Sequence, residues 1–221
     1  MRDHPEENFW PYEKLPEPHP AIERGDLQAA LSAFATREML DYRLHGPSHS
    51  DGWICGFGVT LWLMGDTDGA GRVWSRACDE AVRGKFKYSI TGTFQSGLLL
   101  WFASVWLKDE DWHEEAEALF DKLLRKKRPA MGADFSILLA RLLRREIDLA
   151  EVRASYRDKP PHTHDGYEWE ALFYAGVRAY EDGDIKETRR LWSQAKERTM
   201  SWVVLEYYLL EHERKKLDRR G

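Results

Sequence analysis

One spacing recurs along this chain, and it limits the possible folds more than any other feature. A small or polar turn residue is followed five residues later by a small residue. Four further on comes a large aromatic, and three more brings an apolar residue. Gly65, Ala70, Trp74 and Ala77 obey the spacing, as do Gly183, Thr188, Trp192 and Ala195. Asp111, Ala116, Phe120 and Leu123 obey it with an aspartate at the turn; Gly25, Ala30 and Phe34 match until Arg37 breaks the fourth position. The stretch from Asp148 to Tyr156 has the right length and a weak match. Seven residues before three of these turns stand Gly58, Gly176 and Ser104. Tiny residues on both helices of a hairpin let the backbones approach closely, and the aromatic then fills the groove beside the next hairpin.

The rest of the chain reads as helix. Glycine and proline fall between stretches of helical length: Gly46-Pro47, Gly65, Pro129, Pro160-Pro161 and Gly183. The periodicity predicts about nine or ten helices, near 21–44, 51–64, 67–83, 89–107, 112–127, 131–144, 147–157, 167–182, 185–197 and 200–216. Trp169, Leu172, Phe173, Gly176 and Tyr180 make one apolar stripe. Asp111 with Glu114, and Asp184 with Glu187, carry the signature of a capping box. Strand signals are weak. Pro5, Pro11, Pro16, Pro18 and Pro20 forbid regular structure in residues 1–20, where Phe9, Trp10 and Tyr12 offer a means of pinning the segment to the body. Residues 21–221 are expected to form a single domain.

The repeated pattern resembles the tetratricopeptide repeat. The match lies at Gly65, Ala70, Trp74 and Ala77, and at Gly183, Trp192 and Ala195, within residues 50–200. The resemblance implies an all-α, right-handed stack of antiparallel helical hairpins, an α-solenoid, with the helix near 200–216 as its C-terminal cap. The family repeats every 34 residues or about that. Here the turn positions 25, 65, 111 and 183 are unevenly spaced, and the proline that ends the family's second helix is mostly missing, so an irregular superhelix is expected. In that family ligands lie in a groove lined by the first helix of each hairpin. Counting back from the turns gives groove candidates Cys55, Val59 and Trp62, then Trp101, Val105 and Lys108, then Phe173, Val177 and Tyr180. The set lacks the Lys and Asn side chains with which some members clamp a peptide carboxylate. It suits an apolar helix or an extended segment, unless the N-terminal segment or the last helix covers it.

Composition narrows the function. Hydrophobic residues make up 43% and charged residues 32%, the mixture of a globular chain. A formal net charge of −5 argues against a general nucleic-acid binder. No window approaches the roughly 18 uninterrupted apolar residues of a membrane span. The first residues lack a signal peptide's apolar core, so a cytoplasmic location is expected. Cys55 and Cys78 give no disulfide framework and read as small buried side chains.

Catalytic signatures are missing: there is no phosphate loop, GxSxG, HExxH or zinc-spaced cysteine pair. His162-Thr163-His164-Asp165 comes nearest to a metal site, in what reads as a loop, and His45 and His49 read as solvated. No metal or cofactor is expected. The acidic run from Asp109 to Glu117 complements a helix N-terminus, and Arg125, Lys126, Lys127 and Arg128 complement its C-terminus. With Arg141, Arg144 and Arg145 these cations are candidates for a basic patch, against a plainer reading as solvated surface. The leading expectation is a non-catalytic scaffold that binds a protein or peptide partner in a groove or on the helical surface. An inhibitor of the immunity-protein type, neutralising one toxin, is the first alternative. An enzyme with an unrecognised site around His162 and His164 is the second.

Overall fold

The computed structural model describes residues 17–45, 51–83, 90–125, 134–197 and 205–219. All regular structure among them is helical. The helices are α1 (Pro18–Glu23), α2 (Leu27–His45), α3 (Asp51–Leu63), α4 (Thr67–Val82), α5 (Ile90–Leu107), α6 (Glu110–Leu124), α7 (Asp134–Leu143), α8 (Leu149–Ala154), α9 (Pro161–Glu181), α10 (Ile185–Lys196) and α11 (Leu205–Arg219).

The predicted helix 21–44 is two helices, because the chain reverses at Gly25-Asp26. Helix α9 starts at Pro161, earlier than periodicity indicated. Proline is well placed in a first turn, where its missing N–H has no partner to lose. Residues 162–165 are therefore helical and not a loop.

Five short reversals join α1 to α2, α3 to α4, α5 to α6, α7 to α8 and α9 to α10. Each contains a residue in the left-handed region: Gly25, Gly65, Lys108, Arg145 and Gly183. At Gly65 and Gly183 the positive φ costs nothing, whereas a lysine or arginine with φ of 57° or 62° is strained by about 1–2 kcal/mol. The reversal sends backbone N–H groups back to the helix just ended, as in Asp66 N to Leu61 O at 3.0 Å and Asp184 N to Ala179 O at 2.9 Å. An aspartate then caps the next helix each time. Asp26, Asp66, Asp109, Asp148 and Asp184 accept from the backbone N–H three residues on, at 2.8–3.1 Å.

This corrects the third turn. Asp109, not Asp111, is the cap, and Lys108 is the left-handed residue. Asp148 and Glu151 form the reciprocal capping box, while the Glu187 side chain pairs with Arg190 instead. The left-handed positions 25, 65, 108, 145 and 183 are much more evenly spaced than the sequence reading had them. Eight residues after four of the caps comes a buried aromatic: Phe34, Trp74, Tyr156 and Trp192. The exception is Glu117 after Asp109, where Phe120, one turn later, takes the buried place.

The close approaches fall at glycines. Trp74 lies against Gly58 and donates its indole N–H to the Cys55 carbonyl at 3.3 Å. Trp192 lies against Gly176 in the same way and donates to the Phe173 carbonyl at 3.0 Å. Both indoles thus pack on the first helix of their own hairpin, not beside the next one. In the third hairpin Gly97, not Ser104, is the residue against Phe120.

The hairpins also close on one another. Helix α5 touches α3, α7 and α9, and α11 packs mainly on α3 with smaller contacts to α10 and α9. Helix α11 therefore runs across the first helices and does not simply cap the last hairpin.

A Cβ on Gly176 would overlap the Trp192 indole, whose ring is held by its bond to Phe173. Gly176→Ala is expected to lower unfolding stability by about 1–3 kcal/mol, and Gly58→Ala by a similar amount, in urea titrations. A loss below a few tenths of a kcal/mol at both positions would contradict the close-approach account.

Candidate functional site

The predicted groove residues converge, but they are buried. Val59 and Trp62 on α3, Trp101 and Val105 on α5, and Phe173 and Val177 on α9 are all shielded from solvent. The rings fill the space against each other. Trp62 packs on Phe102 at 5.0 Å, Phe102 on Phe173 at 5.7 Å, and Phe173 stacks on Trp192 at 5.7 Å. An open aromatic groove is therefore not present on these helices. Helix α11 lies over α3, where a ligand would have to enter.

The anchor of α11 is Glu213, which is fully buried. One carboxylate oxygen accepts from the Trp62 indole at 2.7 Å and from Lys216 at 2.8 Å. The other accepts from the Trp106 indole at 2.6 Å. Indole N–H groups have no acceptor role, so two of them facing one site require a group such as a carboxylate. Glu213 sits within the run from Glu211 to Arg220, which reads as a solvated face. Leu210 and Leu217, three before and four after it, are the signal that it lies on the buried stripe.

A second buried carboxylate, Glu206, accepts from the Tyr174 hydroxyl at 2.7 Å. Burial pushes its carboxyl above the usual range, against hydrogen bonds from Tyr174 and Gln95. Glu170 nearby is pushed well up by burial and then by Glu206. A third, Glu168, accepts from Tyr156 at 2.6 Å and pairs with Arg153 at 2.5 Å. All three buried glutamates join helices distant in sequence or turns in the fold.

The basic-patch candidates are engaged by carboxylates. Arg125 pairs with Asp121, Arg141 with Glu146, Arg144 with Glu117, Asp121 and Glu146, and Arg145 with Glu181 and Asp182. Lys126, Lys127 and Arg128 lie outside the described residues, as do His49 and the proline-rich residues 1–16. His164 lies 3.7 Å from Asp165 and edge-on to Tyr156. The His162 side chain lies outside the described part of the structure. Among the described residues no group of three His, Cys, Asp or Glu is placed to hold a metal ion. Cys55 and Cys78 are buried and not joined in a disulfide; Cys55 lies 3.3 Å from the Ser96 hydroxyl.

Among the described residues, two concave surfaces bear on a candidate site. One, of about 390 Å³, lies at the end of the predicted groove and is lined by Val105, Lys108 and Tyr180, with Ser104, His113 and Glu181. Ser104 Oγ lies 3.3 Å and Glu181 Oε1 3.9 Å from the same ring nitrogen, His113 Nδ1. A nucleophile–base–acid relay needs the two partners on opposite ring nitrogens, so this trio is not one. Ser104 donates instead to the Trp101 carbonyl at 2.8 Å, and His113 packs on the Trp101 ring at 4.2 Å.

The other surface is a cleft of about 450 Å³ between α2, α3 and α4. Ala35, Met39, Ile54, Phe57 and Val73 line it, with Glu38 and Arg76 at its polar side. Met39 is 49% exposed. The apolar walls push the Glu38 carboxyl from its ordinary 4.5 up to about 7; Arg76 opposes the shift and Glu80 adds to it. None of these residues is among the groove candidates, which were counted back from the turns on the first helix of each hairpin.

Set against protein families, curated proteins and solved structures, the chain matches none of them. No helix among the described residues is long and apolar enough to cross a membrane.

Replacing Glu213 by alanine leaves two indole donors and Lys216 without their acceptor inside the fold. The cost is expected to be about 3–5 kcal/mol, with amide exchange rising first in α11. Uniform exchange across all helices would rule out this role. Glu38 predicts a pH dependence. Between pH 4.5 and about 7 the folded chain keeps a proton that the unfolded chain has released, so stability falls as pH rises through that window. Glu38→Gln removes this contribution. The Tm of wild type minus that of the variant should fall over the window, and a constant difference would refute the assignment.

Proposed function

We propose that the protein is a non-catalytic helical scaffold, a tetratricopeptide-like stack of hairpins, that holds a segment of a partner protein in the cleft between α2, α3 and α4. The observation that carries this reading is the cleft itself: five apolar side chains, one of them a half-exposed methionine, line a concavity between two successive hairpins. Methionine suits such a surface because its flexible, polarizable side chain adapts to different shapes. The five recurring turns support the repeat reading, and repeats of this kind work by presenting preformed surfaces.

The volume favours an extended segment over a helix. About 450 Å³ takes two or three bulky side chains, whereas a docked helix presents anchors along two turns or more. The occupant is apolar at its centre, because the walls are apolar and hold Glu38 about half uncharged near neutral pH. The filled inner face explains why binding falls to the outer surface. The buried glutamates are committed to holding helices together, which favours binding over catalysis.

A photoreactive residue in place of Met39 is expected to give a discrete adduct with a partner in cells. The same residue in place of Met64, 44% exposed and outside the cleft lining, is expected to give none. Adding Val73→Asp should abolish the Met39 adduct while the thermal unfolding midpoint stays within a few degrees. Identical adducts from both positions, or no adduct at Met39, would overturn the reading.

A further inference from the structure

The apolar cleft carries one carboxylate that its own walls do not satisfy. Glu38 is half-buried on α2, beside Met39 in the lining. Helix α3 faces it with Ile54 and Phe57, whose side chains hold no donor. Helix α4 brings Val73 and two charged groups, Arg76 and Glu80. Those two are joined to each other, with Arg76 Nε donating to Glu80 at 3.0 Å. On its own helix, the neighbouring Arg37 is turned to Glu17 at 2.7 Å and lies 5.0 Å over the Trp53 ring. Among the described residues no hydrogen bond or ion pair reaches the Glu38 carboxylate.

The charges at this side of the cleft do not balance. Two carboxylates, Glu38 and Glu80, face one guanidinium, and Glu80 already holds it. The apolar walls make an ionised Glu38 costly, and its carboxyl is pushed up to about 7 for that reason. A cation brought from outside relieves the cost, because an opposite charge nearby favours the ionised form. An acidic group brought to the same place meets two like charges, which is unfavourable. Lysine and arginine also suit an apolar cleft with one polar side, since their methylene stems lie on apolar surface while the charged head reaches past it.

We propose that the segment held in the α2–α3–α4 cleft carries a lysine or arginine beside its apolar anchors, and that Glu38 selects it by pairing with the cationic head. This rests on the reading above that the cleft holds a partner segment. The anchors fill the apolar part, against Met39, Ile54, Phe57 and Val73, and the cation settles at the polar side. Binding is then coupled to release of a proton from Glu38. The occupied cleft keeps Glu38 ionised to lower pH than the empty one, so affinity rises as pH rises through about 7. That is the opposite direction to the contribution Glu38 makes to stability.

A random heptapeptide display library without histidine, panned at pH 8 on the full chain, tests this. Val73→Asn serves as a control that spoils the cleft without adding charge. Binders lost on Val73→Asn are expected to join two bulky apolar residues to a nearby lysine or arginine, at least about threefold more often than the unselected library does. Norleucine in place of that cation keeps the stem and removes the charge. It should weaken binding to wild type at least about tenfold, and to Glu38→Gln by less than about twofold. Wild type should hold the cationic peptide at least about tenfold more tightly at pH 8 than at pH 5.5, and Glu38→Gln equally at both. Val73-dependent binders with no excess of cations, or with an excess of acidic residues, overturn the proposal and leave the apolar cleft as a binding site. A norleucine loss that is the same in Glu38→Gln places the cation elsewhere and also overturns it. No Val73-dependent binder at all sinks the partner reading, and this proposal with it.

Discussion

An aspartate side chain accepting a backbone N–H, directly after a left-handed residue, is the constraint on which this structure depends. A helix that ends leaves carbonyls without partners, and a helix that starts leaves N–H groups without partners. The reversal supplies both needs within a few residues: returning N–H groups meet the old helix, and Asp26, Asp66, Asp109, Asp148 or Asp184 meets the new one. Once the two helices are antiparallel and close, their facing positions must be small or must receive a ring. Gly58 under Trp74 and Gly176 under Trp192 satisfy that condition in the same way, 118 residues apart. The chain accepts left-handed strain at Lys108 and Arg145 to keep the same geometry.

Pairing alone would leave the first helices with an apolar face toward one another. The chain resolves this by filling that face with rings and by closing it with α11. The closure is polar at its centre. A carboxylate at Glu213 converts two buried indole donors from a cost into a tie between α3, α5 and α11. Among the concavities that stay open on the outside is a shallow apolar cleft where α2 meets the hairpin of α3 and α4.

The helical class, the hairpins and the positions of the main aromatics were legible because they are local. A cap and an aromatic eight residues on are visible in the letters at Asp66–Trp74 and Asp184–Trp192. The third turn was misplaced by three residues because a lysine stands where glycine is expected, and several carboxylates near it compete as caps. The fourth was faint because valine and tyrosine replace the alanine and tryptophan. The groove was left open between two readings for a different reason. Positions were assigned to one face and the last helix was named as one possible cover, yet nothing in a single sequence decides whether a helix over a hundred residues later lies there. Glu213 and Glu206 look like surface residues until their donors, Trp62, Trp106 and Tyr174, are brought beside them.

The tie between Trp62 and Glu213 spans 151 residues. During synthesis each hairpin completes its local contacts soon after it emerges, but the part of α3 that α11 covers stays open until α11 has been made. At roughly 5–20 residues per second that interval lasts about 8–30 seconds. For that time the Trp62 and Trp106 indoles lack their carboxylate acceptor and the apolar surface under α11 is exposed, which is the kind of surface that chaperones hold and that aggregates when they do not. Such a chain matures late: early helices, long waiting, then a single locking step.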